Sequence, residues 1–177
     1  MNSAVVCGGI LACTCLASLP APRNVAELDE HLRFLEPLMG RHWEGGFVGR
    51  EAPDVVISLR FEPALGGKSV RYTREVTALG YASETQFYWN PTRAEVLYLE
   101  LNSRGIVGEG VASLQDGAIV LSGVAHWPEG PYESRTVLEL NDEGVLRDTF
   151  SRKEEGRWVP GHVQEFIAKD GSGTGGP

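Results

Sequence analysis

Hydrophobic and polar residues alternate with a period of two through most of the chain after Trp43. Between Val55 and Phe61, for example, every second residue is apolar, and Ser58 and Arg60 lie between them. This alternation is typical of β-strands with one buried face. Ten such runs are predicted, at residues 43–48, 55–61, 69–79, 81–90, 95–102, 106–114, 118–127, 132–140, 145–152 and 157–168.

Short segments rich in Gly, Asn, Asp and Pro separate these runs, such as Asp116-Gly117 and Asn141–Gly144. Gly67 and Gly144 are expected at positive φ, as tight hairpins require. Because no second helix of useful length separates the runs, parallel β-α-β units are excluded. We predict an all-β fold, a closed antiparallel up-and-down β-barrel of about ten strands, because closure removes exposed sheet edges. A two-sheet sandwich is the alternative.

One helix is predicted before the first strand. Its apolar face consists of Leu28, Leu32, Leu35 and Met39. Asn24 and Glu27 form a plausible capping box at its start, and Pro37 and Gly40 end it. We expect this N-terminal helix to pack near a barrel mouth.

Residues 1–22 contain no charged residue and all three cysteines of the chain, Cys7, Cys13 and Cys15. Their apolar run suits a secretory signal peptide, whereas the lack of Lys or Arg at its start favours a disordered N-terminal extension. We expect an exported protein, either periplasmic, secreted or lipid-anchored at Cys13 or Cys15, with a cytoplasmic protein as the alternative. Residues 23–170 form the predicted barrel domain, and residues 171–177 have the composition of a flexible tail.

The net charge argues against one class of partner. The 177 residues include 16 Lys and Arg and 24 Asp and Glu, which gives 16 − 24 = −8. A nucleic-acid-binding protein needs a basic face to meet phosphates, so we expect no nucleic-acid partner.

Motifs for metal binding and catalysis are missing from the sequence. The four histidines are His31, His42, His126 and His162, and none belongs to a spaced ligand pair. There is no Gly-x-Ser-x-Gly elbow and no cysteine after Cys15. We predict no metal site, no cofactor and no catalytic residue, and leave open whether the protein is an enzyme.

Aromatic residues with a polar group suit the wall of a ligand cavity inside a barrel. The candidate ligand-binding residues are Tyr72, Arg74, Phe87, Trp89, Tyr98, Trp127 and His162. The alternative is that the aromatic side chains are plain core, and Trp43 is expected to plug one end. If Val70 faces inward, so does Arg74, which would then pair with an internal carboxylate or a ligand carboxylate. The opposite parity places Arg74 and Arg147 in water, where isolated charges usually lie.

Three segments, Pro37–Gly45, Phe61–Arg71 and Gly156–His162, resemble the lipocalin-like (calycin) barrels of uncharacterised bacterial families. The resemblance implies a barrel with an interior cavity for a small apolar ligand. Gly161-His162-Val163 also resembles the place near the last strand where nitrobindin-like barrels hold a heme-ligating histidine.

The leading hypothesis for function is a barrel that binds a small apolar or amphipathic molecule in its interior. One alternative is a structural or partner-binding domain with a filled core. Another is a cavity enzyme, such as a nitrobindin-like heme-assisted isomerase.

Overall fold

The computed structural model describes residues 27–49 and 55–169. The predictions for residues 1–22, for Asn24 and for residues 171–177 lie outside these ranges. The strands are β1 His42–Phe47, β2 Ile57–Ala64, β3 Ser69–Val76, β4 Tyr81–Asn90, β5 Glu95–Asn102, β6 Val107–Gln115, β7 Ala118–Trp127, β8 Gly130–Leu140, β9 Val145–Glu154 and β10 Arg157–Lys169. Three 3₁₀ segments accompany them: Glu30–Leu38, Leu65–Gly67 and Thr77–Leu79.

The ten strands form one closed antiparallel barrel. Each strand pairs with its neighbours in sequence, and β1 closes the ring by pairing with β10, with Trp43 opposite Ala168. The predicted up-and-down barrel is therefore confirmed, and the two-sheet sandwich is excluded.

The helix before β1 differs from the prediction. It is a 3₁₀ helix, Glu30–Leu38, and Asp29 caps it by accepting a hydrogen bond from the His31 amide at 3.2 Å. Pro37 lies inside it and has no amide hydrogen to donate. The three buried residues of this helix are Leu32, Leu35 and Leu38. The tighter 3₁₀ winding places Leu38 on the buried face, where the sequence pattern had placed Met39.

This helix covers the end of the barrel at which β1 begins, which we call the helix end. Trp43 is fully buried there, and its indole nitrogen donates a hydrogen bond to the Leu38 carbonyl oxygen at 2.9 Å. Leu59 and Leu146 are also fully buried and belong to the same core cluster. The expectation that Trp43 plugs one end is met by this packing, and the helix, predicted near a barrel mouth, lies across that same end.

Gly67 and Gly144 have the positive φ angles predicted for these turns. Gly67, between β2 and β3, has a φ of 83°, and Gly144, between β8 and β9, has a φ of 79°. Side chains with a β-carbon rarely adopt this left-handed conformation, so glycine suits both turns.

Candidate functional site

A cavity of about 340 Å³ occupies the half of the barrel opposite the helix. Leu79, in the β3–β4 connection, and Arg104, in the β5–β6 connection, are among its lining residues, so the cavity reaches the barrel mouth. We call this half the open end. The apolar part of its wall consists of Val76, Ile106, Leu121, Ala125, Leu138 and Phe150. The volume is near the lower limit for small-molecule pockets, which span about 300–1,000 Å³.

Tyr98 lines the cavity, and Gly123 leaves room for its hydroxyl group. Tyr98 on β5 stands opposite Gly110 on β6, and Gly110 stands opposite Gly123 on β7. A β-carbon on Gly123 would lie 2.6 Å from the Tyr98 hydroxyl oxygen and 2.0 Å from the Glu109 carbonyl oxygen. Burial raises the pKa of Tyr98 to about 12, against an opposing interaction with Ser134 on β8.

An ion pair crosses the interior beside the cavity. The Arg74 guanidinium on β3 binds the Asp148 carboxylate on β9 and donates to the Tyr72 hydroxyl oxygen from Nη2 at 2.6 Å. The Asp148 side chain is 1% exposed and that of Arg74 is 14% exposed. The Tyr72 ring stacks on Phe61, with centroids 4.3 Å apart, and burial raises the pKa of its hydroxyl. Arg74 is thus held by two partners within the barrel.

Glu100 is a second carboxylate in the cavity wall. It lies on β5, opposite Gly108 on β6, and a β-carbon on Gly108 would lie 3.6 Å from one carboxylate oxygen. Burial raises the pKa of Glu100, whereas the nearby Arg74 charge lowers it and the Asp148 charge raises it further. The absence of a side chain at position 108 keeps the space beside this carboxylate open.

Two buried acceptor atoms border the same region. Asp148 Oδ1 and Gln164 Oε1 have no hydrogen-bond partner among the residues that the structure describes. Their residues are register partners on β9 and β10, and Gln164 lines the cavity while being only 3% exposed. Buried acceptors are ordinarily satisfied, so a donor from a ligand or a water molecule suits this place.

His162 lies in the cavity wall at a β-bulge between Pro160 and His162. Its ring stacks on Phe150 at 5.1 Å and meets the edge of Phe47 at 5.8 Å. A β-carbon on Gly161 would lie 2.4 Å from the Phe150 ring, so this glycine permits the stack. The Nε2 atom of His162 is buried by this packing, and these rings would have to separate before it could ligate a heme iron. The arrangement does not fit a heme site.

No group of three or more potential metal-ligating residues occurs within residues 27–49 and 55–169. None of the helices in this part of the chain is long and apolar enough to span a membrane.

Five of the seven predicted site residues line the cavity. These five are Tyr72, Arg74, Tyr98, Trp127 and His162. Phe87 is instead fully buried in the core, and Trp89 stacks on His31 of the 3₁₀ helix at 3.6 Å, so neither borders the cavity. Both lie toward the helix end of β4, whereas the cavity occupies the other end. Ligand binding by the five remains a prediction.

The expectation that isolated arginines face solvent holds for one of the two. Arg147 is on the outer face and pairs with Glu165 at 2.6 Å, with both side chains more than 40% exposed. Arg74 faces inward, because Asp148, far away in sequence, provides the internal carboxylate. The expectation that Arg74 faces solvent is therefore wrong, and the reason is its internal ion pair with Asp148.

Sequence reasoning missed Glu100, Asp148 and Gln164. A signal for Glu100 was available, because it lies two residues after Tyr98 and therefore shares its face of β5. Phe166 and Leu146 would have given the same signal for Gln164 and Asp148 once their inward direction was known.

Comparison with protein-family models and with curated proteins finds no match to this chain. Among solved structures, the barrel is similar to the crystal structure of Rv2717c from M. tuberculosis, with a TM-score of 0.52 and 17% sequence identity. The alignment covers 81% of this chain and 99% of that chain. At this identity the similarity shows a shared barrel fold and nothing about function.

Proposed function

We propose that this protein is a lipocalin-like barrel that binds a small amphipathic molecule in the cavity at its open end. The observation that carries the proposal is the division of the interior, which is densely filled at the helix end and hollow at the open end. A structural domain with a filled core, the alternative from the sequence, does not account for this cavity.

The composition of the wall supports an amphipathic ligand. Leu121, Leu138 and Phe150 offer apolar surface, whereas Glu100 and Gln164 offer polar atoms on the same cavity. A mostly apolar wall with a few fixed polar groups is the usual composition of a small-molecule site. An apolar chain with one polar end would match both parts.

Isothermal titration calorimetry with octanol, octylamine and octanoate tests this proposal. We expect at least one of these compounds to bind with a negative heat-capacity change, which marks the burial of apolar surface. Ala125 lines the cavity, so Ala125→Leu should fill part of it and weaken binding by about tenfold or more, a loss of about 1.4 kcal/mol.

Val124→Leu is the matched control, because Val124 precedes Ala125 on β7 and points to the other face of the strand. It should leave binding unchanged. Failure of all three compounds to bind, or equal binding by the two leucine variants, would contradict the proposal.

A further inference from the structure

The negative and positive side chains inside the barrel beside the cavity are unequal in number. Arg74 is the cation closest to its interior, and it is already paired with Asp148 and bonded to Tyr72. Glu100 lines the cavity, and no salt bridge joins it to any Lys, Arg or His of the described residues. The cavity therefore has one carboxylate in excess of its internal cation.

Two buried hydrogen-bond acceptors in this region also lack donors among the described residues. Gln164 is only 3% exposed and lines the cavity, and its Oε1 atom has no hydrogen-bond partner within the described ranges. Asp148 Oδ1 beside it is in the same situation, because only its other oxygen meets Arg74. A buried acceptor without a donor is costly, so a ligand that brings donors would stabilise this region.

The space next to Glu100 is shaped by small residues. Gly108 on β6 is its register neighbour, and Ala125 on β7 is the register neighbour of Gly108. Both line the cavity. Together they leave a gap beside the carboxylate into which a compact group can fit, and Leu121 lines the cavity four residues away along β7.

We propose, resting on the function proposed above, that the ligand is a small amphipathic amine whose protonated amino group binds Glu100 while its apolar chain lies against Leu121 and Leu138. The ammonium group carries three donors and one positive charge, which matches a carboxylate that has no salt bridge within the described residues and whose hydrogen bonds come from the neutral Tyr81 and Ser83.

A carboxylate ligand matches the cavity less well. Its natural partner would be Arg74, whose charge is already balanced by Asp148. Arg104 also lines the cavity, but it is exposed at the mouth, where solvent and salt screen its charge. A carboxylate beside Glu100 would in addition meet a like charge.

The three octyl compounds separate these possibilities, because they share one chain and differ in the polar end. At neutral pH we expect octylamine to bind at least tenfold more tightly than octanol, and octanoate to bind most weakly. Equal affinities, or a preference for octanoate, would overturn the amine assignment while leaving the binding function standing. Failure of all three compounds would contradict both proposals.

Glu100→Gln removes the charge and keeps the shape of the side chain. We expect it to weaken octylamine binding by roughly tenfold, as for a hydrogen bond to a charged group, and to weaken octanol binding much less. Glu84→Gln is the matched control, since Glu84 is exposed on β4 and its register partner is Leu101, next to Glu100. Equal weakening of octylamine and octanol by Glu100→Gln, or equal loss in both variants, would overturn the role of Glu100.

Discussion

At the helix end of the barrel, Trp43, Leu59 and Leu146 are fully buried in the hydrophobic core, whereas at the open end Glu100 and Gln164 border a cavity of about 340 Å³. The same ten strands run through both halves, so strand topology does not decide which half is hollow. The residues at the two ends decide it. Leu32, Leu35 and Leu38 of the 3₁₀ helix pack into one end, whereas Gly108 and Ala125 leave space in the wall of the other.

The two halves also differ in the kind of polar groups they bury. At the helix end, the Trp43 indole donates to the Leu38 carbonyl oxygen, and the buried Ser69 Oγ has no hydrogen-bond partner among the described residues. The open end contains the Arg74–Asp148 pair, the Tyr72 hydroxyl and acceptor atoms that have no partner in the described residues. Unsatisfied buried acceptors lower the stability of the region that contains them, and such regions are typical of binding sites.

The largest effect is expected from truncation at the helix end. Trp43→Ala should lower the free energy of unfolding by about 3–5 kcal/mol, because it removes a fully buried aromatic ring. Trp127→Ala at the mouth should cost about 1 kcal/mol or less, since Trp127 is 39% exposed. Urea unfolding of both variants measures the difference. Similar losses would show that the two ends are packed alike.

Breaking the internal ion pair should have a comparable effect. Arg74→Met leaves Asp148 buried without its cation, which should cost about 3–5 kcal/mol at most. Adding Asp148→Leu should recover much of this loss, because both charges are then removed. Arg147→Met, in the exposed Arg147–Glu165 pair, is the control and should change the free energy of unfolding by about 0–1 kcal/mol. If the double variant shows no recovery, the unpaired Asp148 charge is not the cause of the loss.

Gly108, which lines the cavity, and Gly123, which lies beside the Tyr98 hydroxyl group, should respond differently to one added methyl group. Gly123→Ala places a β-carbon 2.0 Å from the Glu109 carbonyl oxygen and should destabilise the protein by about 1–3 kcal/mol. Gly108→Ala meets only side-chain atoms, the nearest at 3.4 Å, and should be close to neutral. Thermal unfolding of the two variants distinguishes them. Equal shifts in Tm would mean that Gly108, like Gly123, has no room for a β-carbon.

The smallest effect concerns the pH dependence of stability at the open end. Burial raises the pKa of Glu100 above its usual value of 4.5, so the folded state binds this proton more tightly than the unfolded state. Its contribution to stability is therefore present at low pH and is lost as pH rises through the raised pKa. Glu100→Gln should stabilise the protein at neutral pH but not below pH 4.5. A pH-independent effect of the substitution would contradict a buried, ionising Glu100.

Much of the fold was predictable because alternation and turn chemistry are local signals. The predicted runs at residues 81–90, 95–102 and 118–127 coincide with β4, β5 and β7. The 3₁₀ winding of Glu30–Leu38 was not predicted, since the spacing of its leucines is also compatible with an α-helix. Pro37 was recognised only as the end of that helix.

The site was less predictable because it depends on contacts between distant strands. Alternation shows that Tyr72 and Arg74 share a face, but the choice of face depends on Asp148 in β9, which sequence spacing does not place nearby. The division of the barrel into a filled and a hollow half has the same origin. Phe87 and Tyr98 are register partners with similar side chains, yet only Tyr98 borders the cavity.

The most direct test of the hollow open end is NMR spectroscopy of the methyl-labelled protein with octanol bound. We predict intermolecular nuclear Overhauser effects from the octyl chain to the methyl groups of Leu121 and Leu138. None should reach Leu59 or Leu146 at the helix end. Contacts to Leu59 and Leu146, or only to leucines on the outer face such as Leu101, would contradict the proposed ligand cavity.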